Sequence, residues 1–112
     1  KKLADKLNSG TSKSFCESTK MIFKLLTNGA GQSKMSDLRM PLMINHAYEP
    51  ATANMPIAYK DISVISEDIK SHKCSTPLFD ITQKLYEIAK ENVPNTYDTG
   101  AVYEVYRQKL IK

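Results

Sequence analysis

Apolar residues recur along this chain at intervals of three and four, and alternating strand-like runs are nearly absent. Met21, Ile22, Leu25 and Leu26 predict a helix from about Ser18 to Asn28, which Asn28-Gly29 ends by supplying a left-handed residue. Ser33 caps a short helix carrying Met35, Leu38 and Arg39, and Pro41 breaks or restarts it before Leu42, Met43 and Ile44. Tyr48-Glu49-Pro50 forms a corner. A longer helix starts at Asn54, tolerates Pro56 in its first turn and ends near His72, with Ile57, Ile62, Ile65 and Ile69 on its buried face. Thr76-Pro77 opens the next helix, whose face is Leu78, Ile81, Leu85 and Ile88. Pro94-Asn95 is a turn, and Asp98 caps the last helix, with Val102, Val105, Tyr106 and Leu110 facing inward.

The expectation is an all-α, single compact domain of five to six short helices with brief connectors. Residues 1–8 look like the end of a preceding helix, stopping near Asn8-Ser9-Gly10, and Thr11 to Ser14 form a loop. The chain therefore divides into 1–17, helix end and loop, and 18–112, the helical domain. A first helix with no cap before it stabilises little by itself, so the chain reads as cut from something longer.

Composition narrows the classes. With 112 residues, 41% apolar and 25% charged, the chain can build one modest core of ordinary globular type. No apolar run approaches a membrane span, and the start, Lys-Lys-Leu-Ala-Asp-Lys, lacks the apolar centre of a signal peptide. Cys16 and Cys74 lie far apart without ligand spacing and read as two free thiols in a reducing cytoplasm. The net charge of +4 is spread among Asp and Glu, with no basic stripe interleaved with aromatics. Nucleic acid is therefore not the expected partner, and a mild positive field suits a small anionic ligand.

The familiar catalytic and metal-binding sets are missing. His46 and His72 stand 26 residues apart with no Cys or carboxylate at ligand spacing, and His72 belongs to a helix end where a cation is welcome. Gly29-Ala30-Gly31-Gln32-Ser33 follows a helix rather than a strand, and Lys34 stands where a third glycine of a phosphate loop would fall. It reads as a helix stop followed by a capped new helix. Lys60-Asp61 is of more interest. Asp61, four residues from both Ile57 and Ile65, borders the expected buried stripe and needs partners there. Lys60 is either a solvated surface lysine or the holder of an anionic partner near the positive end of its helix.

Several of these pieces occur in an order that resembles the C-terminal domain of the β-hydroxyacid dehydrogenases, the family of 3-hydroxyisobutyrate dehydrogenase and tartronate semialdehyde reductase. They are the glycine-rich Asn28 to Ser33, Arg39-Met40-Pro41, Lys60-Asp61-Ile62, Thr76-Pro77-Leu78, and Asp98 with Ala101-Val102 and Tyr106. The resemblance spans Met21 to Arg107 and implies a helical domain like that of 6-phosphogluconate dehydrogenase-like enzymes. It implies NAD or NADP as cofactor, bound mainly by an N-terminal Rossmann domain absent from this chain, with Lys60 as the cofactor contact. It further implies hydride transfer with a small 3-hydroxy acid, a cytoplasmic homodimer, and no activity for this part alone. Ala53 stands where the family has Phe, and the family's Gly-x-x-x-Lys catalytic motif has no match before Met21, so no catalytic residue is assigned. The alternative is a stand-alone helical interaction or assembly module without catalytic activity.

Overall fold

The computed structural model describes residues 12–111, and every described element is helical. The expected helix end over residues 1–8 lies outside the described residues, as does the side chain of Cys16. The helices are α1 (Ser12–Asn28), α2 (Lys34–Asn45), α3 (Met55–Ser71), α4 (Pro77–Asn92) and α5 (Tyr103–Arg107), the last entered through a 3-10 turn, Thr99–Val102. Two compact units result. One ends at Ala47 and holds α1 and α2; the other begins at Tyr48 and holds the rest.

In the first unit, α1 starts six residues before the expected Ser18. It absorbs Ser12 to Ser14, expected as loop, and runs through the expected boundary at residues 17 and 18. No Gly or Pro interrupts this polar stretch, so nothing local stops helix propagation there. The end at Asn28 falls where expected, but by a different cause. No described glycine has a positive φ. Gly29 instead closes the helix with its amide on the Leu26 carbonyl (3.2 Å), so near the chain that a Cβ would lie 2.8 Å from the Leu25 carbonyl oxygen. Ser33 then caps α2 in a reciprocal box with Ser36: Ser33 Oγ accepts from the Ser36 amide at 3.0 Å, and the Ser33 amide donates to Ser36 Oγ at 3.1 Å. Pro41 does not break α2, which continues to Asn45; the helix forgoes one rung there. Left-handed conformation is used at His46, which caps α2, and at Lys73 and Lys109, just beyond α3 and α5. On α1, Phe23 and Leu26 are half-buried, while Met21, Ile22 and Leu25 of the expected stripe are exposed.

The second unit carries the core. Met55, Ala89, Ala101 and Val105 are wholly buried, with Tyr48 and Val93 nearly so. The small residues Ala89, Gly100 and Ala101 let α4 and the 3-10 turn approach closely. Caps fall where the sequence placed them: Asn54 and His72 bound α3, and Pro77 occupies the first position of α4. The buried faces match only in part. On α3 the inward residues are Met55, Tyr59, Ile62, Ser66 and Ile69, spaced 4, 3, 4 and 3, whereas Ile57 and Ile65 are exposed. On α4, Ala89 is the residue fully covered, Leu85 and Ile88 are half-buried, and Leu78 (81% exposed) and Ile81 face out. Tyr106 is likewise exposed on α5. Which side of an amphipathic helix is covered depends on what docks against it, and both α3 and α4 offer more than one apolar stripe.

Candidate functional site

The segment Tyr48 to Asn54, which delivers the chain into α3, is fixed by one buried carboxylate. Asp98 Oδ2 accepts from the Thr52 amide and from Thr52 Oγ1, each at 3.2 Å, and Oδ1 accepts from the Gly100 amide at 3.0 Å. Asp98 is completely buried. Its own amide donates to the Tyr48 carbonyl (2.9 Å), the Met55 amide to the Tyr97 carbonyl (3.0 Å) and the Thr99 amide to the Ala53 carbonyl (2.9 Å), around a bridge between Asn54 and Asp98. The expected capping role is therefore correct for the 3-10 turn, and Asp98 additionally holds the entry to α3. Ala53, at the place where the family resemblance implies Phe, contributes its backbone carbonyl to this tie.

A second buried group braces the same segment. The Tyr48 hydroxyl donates to Glu104 Oε1 at 2.7 Å, while Glu104 Oε2 accepts from Arg107 Nε at 2.6 Å and Gln108 Nε2 at 3.2 Å. Tyr48 also stacks on Tyr97, ring centroids 5.4 Å apart. Burial first, and then the bond to the Glu104 carboxylate, push the Tyr48 phenol well above the ordinary tyrosine range, so it stays a donor. Burial, reinforced by Glu104, raises Tyr103 as well. The sequence carried no signal for this tie, since its partners lie 56 residues apart. The Glu104, Arg107 and Gln108 spacing of three and four is the one local hint.

On this anchored helix, Lys60 occupies the second turn of α3 and points into solvent, its side chain 73% exposed. Its Nζ lies 3.3 Å from Asp61 Oδ1. Asp61 is exposed too, contrary to the expectation that it borders the buried stripe, because that stripe lies on the Met55, Tyr59 and Ile62 side. An exposed pair of this kind contributes about 0–1 kcal/mol, so little holds Lys60 against an incoming anion. The arrangement presents Lys60 as an accessible, weakly engaged cation on a helix anchored at its entry. It contains no nucleophile and base in contact, and no group of three or more metal-binding side chains occurs among the described residues.

The other candidates stay apart from this site. His46 caps α2 in the first unit. His72 caps α3, its Nδ1 3.4 Å from Asp68 Oδ1 and 2.9 Å from the Asp68 carbonyl oxygen. Cys74 is a free, exposed thiol. The glycine-rich segment is the expected helix stop and capped restart. No helix of the described residues is long and apolar enough to cross a membrane.

Among known protein families, one described as NAD-binding of NADP-dependent 3-hydroxyisobutyrate dehydrogenase matches residues 3–106. No curated protein and no solved structure matches the chain.

Proposed function

This chain belongs to the family of NAD-binding domains of NADP-dependent 3-hydroxyisobutyrate dehydrogenase, and we propose that it is the helical C-terminal part of such an enzyme. The cofactor of the family is NAD or NADP. Its nicotinamide ring, when bound, supplies the hydride acceptor for oxidation of a small 3-hydroxy acid. This chain forms one wall of the cleft. Lys60 meets the anionic dinucleotide, and the Asp98 and Tyr48–Glu104 ties hold α3 so that the lysine presents itself at a fixed height. The general acid/base is assigned to no residue here.

The observation that carries this reading is the exposed Lys60 ammonium, engaged by a single neighbouring carboxylate at 3.3 Å, at the position the family likeness singles out. The chain acts in the cytoplasm as part of a homodimer. Exposed Ile57, Val64 and Ile65 on α3, and Leu78 and Ile81 on α4, support such pairing. The test is turnover. An enzyme carrying this domain reduces NAD or NADP in the presence of a small 3-hydroxy acid, and the 112-residue chain alone does not. Failure of the complete enzyme with every small 3-hydroxy acid tried would remove the reading.

The same exposed apolar residues favour one rival, a helical assembly module without catalysis. It differs in outcome: such a module self-associates or captures a partner equally well after Lys60→Ala, and never reduces a nicotinamide cofactor.

A further inference from the structure

Lys60 has apolar neighbours on the outward side of α3. Ile57 lies three residues before it and Val64 four residues after it, the spacing that brings helical side chains onto one face. Both are exposed, Ile57 by 46% and Val64 by 59%. At about 1.5 Å of rise per residue they stand about 4.5 Å before and about 6 Å beyond the lysine along the helix axis. Pro56 and Ser63, its other neighbours at that spacing, are exposed and uncharged. The helix thus presents a cation between two branched aliphatic groups, away from the Met55, Tyr59, Ile62 and Ser66 side that packs inward.

A phosphate-bearing ring compound fits this face better than a second subunit does. A subunit laid over it takes the Lys60 ammonium out of water, and the carboxylate beside that ammonium, Asp61, sits on the same helix and is itself exposed. A phosphate offsets the desolvation with a charge-assisted hydrogen bond. Isoleucine and valine are stiff at χ1 and lose little rotamer freedom when covered, so together they make a preformed shelf for a ring. A nucleotide carries both parts in one molecule: an anionic phosphate and, bonded to it, a ribose with an apolar C–H face.

We infer that Ile57 and Val64 bind the dinucleotide together with Lys60, covering the ring face of the nucleoside whose phosphate the lysine holds. The inference rests on the reading of Lys60 as the cofactor contact and adds two residues to it. It leaves Ile65, Leu78 and Ile81 as the exposed apolar residues of α3 and α4 open to a second subunit.

The test is fluorescence titration of NADPH and NADH into the complete enzyme carrying this domain, with the subunit assembly followed by sedimentation. Combined Ile57→Ser and Val64→Ser is expected to weaken the preferred cofactor about tenfold and to leave the assembly intact. Ile65→Ser is the control, because Ile65 is as exposed as Ile57 (46%) but lies five residues from Lys60, on another side of the helix. Its cofactor affinity should equal that of the parent. Inorganic pyrophosphate, which has the charge and no ring, should inhibit the double variant as strongly as the parent. Unchanged cofactor affinity in the double variant, an equal loss in Ile65→Ser, or a loss that accompanies dissociation of the subunits would overturn the inference. Lys60→Ala separates the two levels. If it weakens the cofactor and the double variant does not, this inference alone fails; if neither does, the reading of Lys60 fails with it.

Discussion

The phenol of Tyr48 donates to the carboxylate of Glu104 at 2.7 Å, tying the corner before α3 to a helix 56 residues further along the chain. Both partners are buried, and Glu104 receives two more donors from Arg107 and Gln108. Removing the phenol oxygen leaves a buried carboxylate short of a donor. Tyr48→Phe is expected to lower stability by about 1–3 kcal/mol, read as a lower urea midpoint with unchanged slope.

Asp98 is the stronger constraint, because three donors converge on one wholly buried carboxylate. Asp98→Ala strands the Thr52 and Gly100 amides, and a loss of about 3–5 kcal/mol is expected, enough to threaten folding in a chain of this size. Asp98→Asn keeps one oxygen acceptor and should cost less. Equal and small losses for both variants would contradict the bonding described for this carboxylate.

These two ties show where sequence reading stops. The ends of α3 and α4 were legible because Asn54, His72 and Pro77 act on neighbouring backbone, although Thr76, expected as the cap of α4, makes no side-chain cap bond and donates its hydroxyl to Asp80 Oδ1 at 3.3 Å instead. The covered face of α3 was not. Isoleucines at 57 and 65 are the more hydrophobic choice, yet α4 and the 3-10 turn dock on the side of Met55 and Ser66, leaving those isoleucines in solvent. The order of motifs singles out Lys60 as the proposed cofactor contact, whereas Tyr48 and Glu104 meet only through tertiary packing and have no local pattern to announce them. Pro41 misled in the opposite sense, since a local helix breaker is carried inside α2.

Gly29 and Gly31 sit two residues apart and should respond differently to alanine. At Gly29 the new Cβ meets the Leu25 carbonyl oxygen at 2.8 Å, a backbone atom that cannot yield without disturbing the end of α1. At Gly31 the close neighbour is Leu26 Cδ1, also at 2.8 Å, which can turn aside. Gly29→Ala is expected to cost about 1–3 kcal/mol and Gly31→Ala under about 1 kcal/mol, by thermal melting of both variants.

Alkaline pH offers a further check. Tyr48, Tyr59 and Tyr103 all have raised folded-state pKa values, for which burial is the first cause. Their neutral forms are favoured in the fold, so their contribution is complete below the unfolded tyrosine pKa of about 10 and declines as pH rises past it, when the unfolded chain releases protons that the folded chain keeps. Denaturation midpoints should therefore fall above about pH 10, and fall less steeply in Tyr48→Phe.

The most direct test of the central claim is dinucleotide affinity, measured by fluorescence titration of NADPH and NADH into the complete enzyme carrying this domain. Lys60→Ala is expected to weaken binding of the preferred cofactor about tenfold, a loss in keeping with one charge-assisted contact, without moving the melting temperature. Asp61→Ala, which frees the lysine from its neighbour, should bind as tightly as the parent or more so. Unchanged affinity in Lys60→Ala for both cofactors would contradict the account.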